Sequence, residues 1–456
     1  MRRSTRGPVR WWPVRLGVLG CAMVFCWWQI RLLGDVRVHL GKFYGWFATA
    51  FVFYLLSLWL VHRVENIGDV ARFQKHSNVP MLGLGGVLLA AVLARLLLLG
   101  TAPTLSDDIY RYRWDGRVQL AGVDPYAYPP NHPTLASLRD EQFAHINFPH
   151  LRTVYPPLTE FAFRLGASLG HTLTAQKLVF VSAELVTFTC LLFLLLKRRM
   201  NPLWVVAYAW HPLVILEIAG SGHNDALGVA MLWLGIAGWE ARSWLGVTFG
   251  WSAAFLSKFL SVIMMPWWWC RRESRRWLGV CAILSAAPLL LHPTAVTALR
   301  ESLSAMTTRF ESNASLYLVL AWMVGSASLA RVLAVGVGVA FLLWWAHRQA
   351  DPTRYLLGAL SVAALLSPVL HPWYLVWLIP CLCFYRPAPV VALTGFVVLA
   401  YTVWPGRLAD GRWVIPVWAH ALEYAPVFLL GLWELKKWGR FYFPRRMPEK
   451  IETSPI

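Results

Sequence analysis

Two adjacent carboxylates, Asp107 and Asp108, stand at the start of a polar segment that directly follows a long apolar stretch. If residues 105–119 form a helix with Ser106 as its N-cap, every third or fourth side chain shares one face. That face carries Asp108, Arg111, Tyr112 and Asp115. Because neighbouring residues point about 100° apart on a helix, we expect only one of the two carboxylates to enter a site. Such a carboxylate suits a general base for a hydroxyl proton; the alternative is a helix whose acids pair with its own arginines.

A second polar cluster, at residues 220–225, contains His223, Asn224 and Asp225. His211 and Glu217 precede it within an apolar stretch, where ionisable groups are costly and are functional candidates by default. The simpler interpretation is a capped turn, because Asn224 and Asp225 are good N-caps for a following helix. The residue types leave both interpretations open.

Further ionisable side chains lie in or beside apolar stretches: Arg95, Lys258 and His371. Arg95 and Lys258 are suited to face an anionic phosphate, and His371 to bind phosphate or transfer a proton. The alternatives are snorkelling of the two cations to lipid headgroups and interfacial anchoring of His371. The segments 122–130 and 154–157, which include Tyr155, are rich in Pro and Tyr. They indicate rigid turns that either shape an acceptor groove or serve as packing corners.

The composition requires a membrane around most of the chain. Hydrophobic residues make up 57% of the 456 residues and charged residues 14%, whereas a water-soluble domain has roughly a quarter of its residues charged. The net charge of +19 does not indicate nucleic acid, because Lys and Arg cluster at the ends of apolar stretches. Runs such as 2–15, 197–199, 271–276 and 436–446 are typical of cytoplasmic ends beside anionic lipid.

Apolar stretches of about 20 residues, enough to cross a bilayer, recur along the chain. They begin near Pro13, Phe43, Pro80, Thr172, Pro202, Ala226, Trp244, Trp277, Ser328, Tyr355, Trp373, Ala388 and Trp418. We therefore predict an all-α, polytopic fold with about 13 transmembrane helices, between roughly 12 and 14. The whole of 1–456 is then a single integral membrane domain.

The basic runs predict an orientation with the amino terminus in the cytoplasm. Residues 103–170 then form a large outer loop, and 441–456 a cytoplasmic tail. One helix over 244–269 would place the basic residues 271–276 outside, so we predict two short passes that meet near Ser257 and Lys258. Residues 315–324 are predicted to form an interfacial helix on the outer face. This topology brings one set of polar residues to the outer side: Asp107, Asp108, His223, Asp225, Lys258 and His371.

The motifs, and their order along the chain, resemble those of GT-C-fold bacterial membrane glycosyltransferases. These enzymes use polyprenyl-phosphate sugars and are mannosyltransferase-like in many cases. The resemblance rests on Ser106-Asp-Asp-Ile-Tyr-Arg-Tyr112, Trp114-Asp-Gly-Arg-Val118, Gly122-Val-Asp-Pro-Tyr126, Tyr155-Pro-Pro157, Gly222-His-Asn-Asp-Ala226, Ser257-Lys-Phe259 and Ser367-Pro-Val-Leu-His-Pro-Trp-Tyr374. It covers residues 80–385. The chain departs from the pattern at Asp124, where Asn is expected, and in two additional apolar helices near its start.

The resemblance implies a first outer loop that contains short interfacial helices and supplies a carboxylate base, here Asp107 or Asp108. It also implies inversion at the anomeric carbon, with polyprenyl phosphate as the leaving group. We expect the substrates to be bound by a second group of residues: Arg111, Asp115, Tyr155, His223, Asn224, Asp225, Lys258, His371 and Tyr374. No protein metal site is predicted and no cofactor is required, although the convergence of carboxylates and His leaves a divalent metal open.

The predicted activity is transfer of a hexose from a polyprenyl-phosphate donor to a lipid or glycan acceptor. Mannose is the favoured hexose. The predicted topology puts this activity on the outer, periplasmic face of the cytoplasmic membrane, where cytoplasmic nucleotide sugars are out of reach. The sequence also has no Gly-rich phosphate loop to bind a nucleotide sugar, so a lipid-linked donor fits both observations. The partners are then the lipid-linked donor, a lipid or polysaccharide acceptor and membrane lipids. The alternative is a transporter or flippase of a lipid-linked sugar. The sequence leaves the sugar, acceptor, linkage and oligomeric state open.

Overall fold

The computed structural model describes residues 11–66 and 79–441. In this part of the chain the regular secondary structure is helical, apart from one isolated bridge between Ser312 and Val369. The basic residues at 2–10 and, beyond its first residue, the predicted tail 441–456 lie outside the described residues. The helices of the amino-terminal half are Trp12–Leu32, Leu40–Asn66, Val79–Leu99, Asp108–Leu120, Pro157–Leu169, Leu173–Lys197, Val206–Ala209, Pro212–Val214, the π-helix Ile215–Gly220, and Asp225–Glu240. Short 3₁₀ segments join them at Val36–His39, Pro133–Leu138, Glu141–His145 and Pro202–Val205.

The carboxyl-terminal half is also a succession of helices. They are Trp244–Ser257, Met265–Trp269, Arg272–Leu290, Pro293–Arg309, Leu316–Val324, Ala327–Arg348, Pro352–Leu366, Ala388–Phe396, Trp404–Asp410 and Val417–Phe441. Its 3₁₀ segments are Phe259–Met264, Pro372–Trp377, Ile379–Cys383 and Val397–Val403. Each apolar stretch predicted from the sequence begins within a few residues of one of these helical segments.

The all-helical membrane fold is confirmed, but the predicted count of spans is not. Among the described residues, six helices are long and apolar enough to cross a membrane, or up to eight if each of two bent pairs is one span. The bent pairs are Pro202–Ala209 with Pro212–Gly220, at 53°, and Arg272–Leu290 with Pro293–Ala305, at 94°. Other predicted stretches form helices too short to cross by themselves, such as Pro352–Leu366. Hydropathy finds an apolar stretch but not the break inside it.

Glycines bring the helices Asp225–Glu240 and Trp244–Ser257 into close contact. A Cβ at Gly238 would lie 2.6 Å from the backbone carbon of Gly246, and one at Gly235 would lie 3.3 Å from the backbone nitrogen of Trp251. Small residues at a crossing let two helix backbones approach within van der Waals distance. The hairpin therefore holds its two open ends, which carry Asp225 and Lys258, side by side.

The predicted break near Ser257 and Lys258 is present. Lys258 has an extended backbone (φ −158°, ψ 130°), and Trp251 Nε1 donates to the carbonyl of Ser261 at 3.3 Å. The chain then runs back along the hairpin. The ring centroids of Trp267 and Trp239 lie 5.1 Å apart at the far end of the hairpin, which shows this reversal. The two short passes thus bring the basic residues 271–276 back to the level of Arg242. The side of the membrane on which they lie stays a prediction.

Short helices of the 103–170 segment pack on the core. Tyr112 of the helix Asp108–Leu120 stacks on Phe163 of the helix Pro157–Leu169, with ring centroids 4.5 Å apart. Arg113 and Arg117 both bind the carboxylate of Asp140, Arg113 at 2.6 Å. These contacts fix the helix Asp108–Leu120 against the other short elements of the 103–170 segment.

Candidate active site

The site begins at the amino terminus of the helix Asp108–Leu120. The helix starts three residues later than predicted from the sequence, with Asp107 at its N-cap position and no side-chain cap there. Ser106 Oγ instead accepts from the backbone N–H of Asp108 at 3.4 Å. Ser106 is therefore close to its predicted capping role but stands one residue before the N-cap.

Asp107 and Asp108 point to different surroundings, as their helical spacing predicts. Asp108 Oδ2 lies 3.8 Å from His223 Nδ1, and its carboxylate also lies in the electrostatic field of Lys258 and Asp225. Asp107 instead faces Arg37, His145 and Arg407. Burial raises the pKa of both carboxyls above the usual value, against the opposing effect of these cations. The Asp108 side chain keeps 29% of its surface exposed, so it remains accessible to a substrate.

His223 lies in the centre of the cluster. Its ring stacks on Trp373 with centroids 4.1 Å apart, and His371 stacks on the same Trp373 at 4.4 Å. Its Nε2 lies 3.3 Å from Glu217 Oε2, on the opposite side from Asp108. His223 is 1% exposed and Glu217 is fully buried. The imidazole therefore lies between two carboxylates, and among the described residues neither of its nitrogens makes a hydrogen bond.

Glu217 reaches His223 because the chain is distorted between them. The segment Ile215–Gly220 is a π-helix, and the backbone N–H of His223 donates to the carbonyl of Glu217 at 3.0 Å. Gly222 between them has φ +78°, and a Cβ there would lie 2.5 Å from Ile109 Cδ1. Only glycine fits this left-handed turn against the helix that starts at Asp108.

Lys258 is already paired. Its Nζ lies 2.5 Å from Asp225 Oδ1, and the indole N–H of Trp377 donates to the same oxygen at 2.6 Å. The ammonium also lies 5.0 Å from the ring centroid of Tyr374. Asp225 is 1% exposed, whereas Lys258 keeps 29% of its side chain exposed. One face of this cation is thus held by a buried carboxylate and the other remains accessible.

Aromatic and amide groups border the cluster. Tyr112 donates its hydroxyl to Asn224 Oδ1 at 3.2 Å, so Asn224 joins the two polar segments instead of capping the next helix with its side chain. Tyr155 packs edge-on against Tyr112 at 5.2 Å. Burial lowers the pKa of His371 to about 3, so that its ring is neutral at physiological pH.

Arg111 and Asp115 pair with each other, as the alternative interpretation of the helix anticipated. Arg111 Nε lies 2.8 Å from Asp115 Oδ1, and its Nη1 donates to the carbonyl of Leu151 at 3.0 Å. Glu160 lies beside them and accepts from Thr153 Oγ1 at 2.6 Å and from Gln119 Nε2 at 2.8 Å. Burial, and next to it the charge of Asp115, raises the pKa of Glu160 well above its usual range and so favours its protonated form.

Two ionisable residues that the sequence singled out have other partners. Arg95 neither snorkels nor faces the cluster, since it pairs with buried Glu184 at 2.8 Å and donates to the carbonyl of Ala209. His211 accepts from the N–H of Leu213 and contacts Thr394 Oγ1 at 3.0 Å. Asp124, where Asn was expected, accepts from the N–H of Tyr126 at 3.0 Å and so forms the same kind of turn.

Three side chains of the cluster were not predicted as site residues: Glu217, Trp373 and Trp377. Glu217 was a general functional candidate, as an ionisable group within an apolar stretch, but was not assigned to the site. Trp373 lies within the motif in which His371 was the predicted site residue. Trp377 gives no signal in the sequence, because an indole in an apolar stretch is common. In the described part of the chain, no group of three or more His, Cys, Asp or Glu side chains is arranged to hold a metal ion.

The family described as alpha-(1->6)-mannopyranosyltransferase, N-terminal domain, matches residues 16–271, which is more than half of the chain. The chain therefore belongs to this family, and the resemblance inferred from the motifs is confirmed. The matched region contains Asp108, Glu217, His223 and Lys258. It ends before His371 and Trp373, so one wall of the cluster comes from outside it.

Among curated proteins, the chain is similar to alpha-(1->6)-mannopyranosyltransferase A of Mycobacterium tuberculosis, with 26% identity over 333 residues. The alignment covers 62% of this chain, and the chain spans 62% of that relative's length. No solved structure matches the chain.

Proposed function

We propose that this protein is a membrane mannosyltransferase that moves a mannosyl group from a polyprenyl-phosphate-linked donor to a hydroxyl of a lipid or glycan acceptor. The family and the M. tuberculosis relative, whose name is that of an alpha-(1->6)-mannopyranosyltransferase, support the sugar. The motif resemblance supports the lipid-linked donor. The reaction is expected on the outer face of the cytoplasmic membrane, where the predicted topology puts the cluster.

The observation that carries the proposal is the position of Asp108. Its partly exposed carboxylate lies in a buried cluster with His223, Asp225 and Lys258, and burial raises its pKa. A general base works best when its pKa is raised towards the working pH, because it then has a higher proton affinity and is still ionised. Asp107, whose surroundings are different, is assigned no part in proton transfer.

In the proposed reaction, Asp108 takes the proton of the acceptor hydroxyl while the hydroxyl oxygen attacks the anomeric carbon. The bond from that carbon to the phosphate oxygen breaks, the phosphate leaves with the electron pair, and the anomeric configuration inverts. The exposed side of the Lys258 ammonium stabilises the leaving phosphate. Asp225, which is itself held by Trp377, fixes the position of the ammonium. His371, which is neutral, contributes hydrogen bonds instead of a full charge.

The remaining polar groups have supporting roles. Asn224 and Tyr112 connect the helix of Asp108 to the turn of His223, while Tyr155 and Tyr374 form apolar walls for the sugar. Arg111 and Asp115 form an ion pair with each other. Their proposed contribution to substrate binding is therefore indirect: the pair stabilises the conformation of the loop. An assay of mannosyl transfer with and without a chelator tests whether the reaction requires a divalent metal.

The test is transfer of labelled sugar in membranes that contain the protein, with polyprenyl-phosphate mannose, glucose or arabinose as donor. We expect label to move from polyprenyl-phosphate mannose to an acceptor, and the Asp108→Asn variant to lose about 10²- to 10⁴-fold in rate. A flippase would leave the label on polyprenyl phosphate. Absence of transfer from every donor by the well-expressed wild-type protein would contradict the proposed function.

A further inference from the structure

His223 and His371 lie on the two faces of Trp373 but have different electrostatic surroundings. Among the described residues no carboxylate pairs with His371, and burial lowers the pKa of its ring to about 3. His223 lies between two carboxylates, with Nδ1 3.8 Å from Asp108 Oδ2 and Nε2 3.3 Å from Glu217 Oε2. A buried imidazole is neutral unless opposite charge compensates its lost hydration. The two carboxylates supply that compensation on both sides of the ring.

Glu217 needs the same interaction. Its side chain is fully buried, and its other oxygen, Oε1, accepts from the Tyr401 hydroxyl at 2.7 Å. A hydroxyl alone does not balance a buried carboxylate charge. Among the described residues, His223 supplies the titratable nitrogen in ion-pair distance of Glu217. Glu217 Oε2 and both ring nitrogens of His223 are buried and have no hydrogen-bond partner among the described residues. The 3.3 Å approach of Nε2 to Oε2 is therefore the contact through which the two groups can compensate each other's lost hydration.

We propose that Glu217 is a positioning residue that keeps His223 as an imidazolium and thereby keeps Asp108 ionised as the catalytic base. This inference rests on the proposed function. With His223 charged, the cluster of Asp108, Asp225, Glu217, Lys258 and His223 carries one net negative charge. It becomes neutral when Asp108 accepts the hydroxyl proton. The arrangement therefore favours proton uptake by Asp108 without a buried excess of charge afterwards.

The pH dependence depends on every charged or titratable group near His223. These groups are Asp108, Glu217, Asp225, Lys258, His371, Tyr401 and Lys177, whose ammonium is bound by the carbonyl of Thr101. Glu217 is the one that faces His223 from the side opposite Asp108. Loss of its charge therefore removes the imidazolium, while Asp225 and Lys258 still neutralise each other.

The experiment compares the pH profile of mannosyl transfer for the full-length wild-type protein and for Glu217→Gln, in the same membranes and with the same polyprenyl-phosphate donor. Either orientation of the amide removes the charge, so His223 becomes neutral and the Asp108 carboxylate loses its neighbouring cation. We expect the acidic limb of the profile to move up by at least about one pH unit. At pH values below the wild-type midpoint the variant is then at least about tenfold slower, whereas at alkaline pH its rate recovers to within a few-fold of wild type.

Glu423→Gln is the matched control. Glu423 is fully buried like Glu217, and one of its oxygens accepts from the side-chain amide of Asn313 at 2.8 Å. Among the described residues it has no contact with the cluster. We expect this variant to keep the wild-type limb. A merely structural role of Glu217 would lower the rate at every pH and would leave the limb in place, which would overturn the proposal.

His223→Gln is the second variant if Glu217→Gln does not fold. It removes the same imidazolium, so its limb must also move up, and an unmoved limb would overturn the proposal in the same way. The proposed function fails separately: in that case wild-type membranes show no transfer, or transfer does not depend on Asp108. Asp108-dependent transfer with an unmoved limb in the Glu217 and His223 variants contradicts only the role of Glu217.

Discussion

At the scale of single residues, Asp107 and Asp108 have the same chemistry and different neighbours. Their divergence follows from helix geometry and was predicted. The proposed choice of Asp108 could not be predicted, because it depends on His223, Asp225 and Lys258, which come from distant parts of the chain. The same limit explains Arg95, whose partner Glu184 lies on another helix and could not be read from local sequence.

Lys258 provides a pH test of the base. Transfer falls as the pH decreases through the raised pKa of Asp108, so the acidic limb of wild type lies above pH ~4. The ammonium of Lys258 lowers the pKa of Asp108. Lys258→Met therefore moves the limb to higher pH and also lowers the plateau rate, since the phosphate loses its cation. Lys197→Met is the control, since Lys197 is an exposed cation at the far end of the helix Leu173–Lys197. We expect this variant to keep the acidic limb and the plateau rate of wild type. A limb at lower pH in Lys258→Met would contradict the assignment.

At the scale of the elements, the turn at Gly222 joins the two polar segments that the sequence marked separately. Gly222→Ala adds a Cβ 2.5 Å from Ile109 Cδ1 and 2.9 Å from Lys177 Cγ. We expect it to push the start of the helix Asp108–Leu120 away from His223 and to lower transfer by more than about tenfold.

Gly122→Ala separates this displacement from backbone strain. Gly122 has φ +79°, like Gly222, but a Cβ there meets nothing within 4 Å. Both variants carry the cost of a left-handed alanine, about 1–2 kcal/mol, so similar losses of stability are expected from this source. Gly122→Ala should retain transfer within a few-fold of wild type. Equal losses of transfer in the two variants would show that the close contact at Gly222 does not position the site.

Glu160 tests the polar core of the outer segment. Because the raised pKa of Glu160 favours its neutral form, Glu160→Gln should change the free energy of unfolding by less than about 1 kcal/mol. Glu160→Ala removes the carboxyl oxygen that accepts from the buried Thr153 hydroxyl, whereas Gln119 keeps the backbone carbonyls of Glu160 and Asp115 as acceptors. The loss of the Thr153 acceptor should cost about 1–3 kcal/mol. Thermal unfolding of the detergent-purified variants measures both. A Gln variant as unstable as the Ala variant would mean that Glu160 is ionised.

At the scale of the whole molecule, composition was enough to predict an all-helical membrane protein, and hydropathy located where its segments begin. Hydropathy could not divide them into spans, because breaks depend on packing. The stretch from Pro202 to Gly220 bends by 53° and contains a π-helix that brings Glu217 to His223. By contrast, the reversal at Lys258 was predicted, because the basic residues after it constrained the topology.

The topology has its own test. The two short passes predict that residue 273 lies on the cytoplasmic side and residue 131 on the outer side. With an impermeant thiol reagent applied to intact cells, a cysteine in place of Asn131 should react and one in place of Glu273 should not. The background is a variant without the seven native cysteines. Labelling of position 273 from outside would contradict the proposed orientation.

The most direct test of the central claim is the ratio of the rates of the Asp107→Asn and Asp108→Asn variants at equal expression, with polyprenyl-phosphate mannose as donor. The substitutions are chemically identical and occupy adjacent positions, so that only the surroundings of the two carboxylates differ. If Asp108 is the base, Asp108→Asn loses about 10²- to 10⁴-fold, and Asp107→Asn stays within roughly tenfold of wild type. Wild-type-like transfer by Asp108→Asn, or a larger loss in Asp107→Asn, would contradict it.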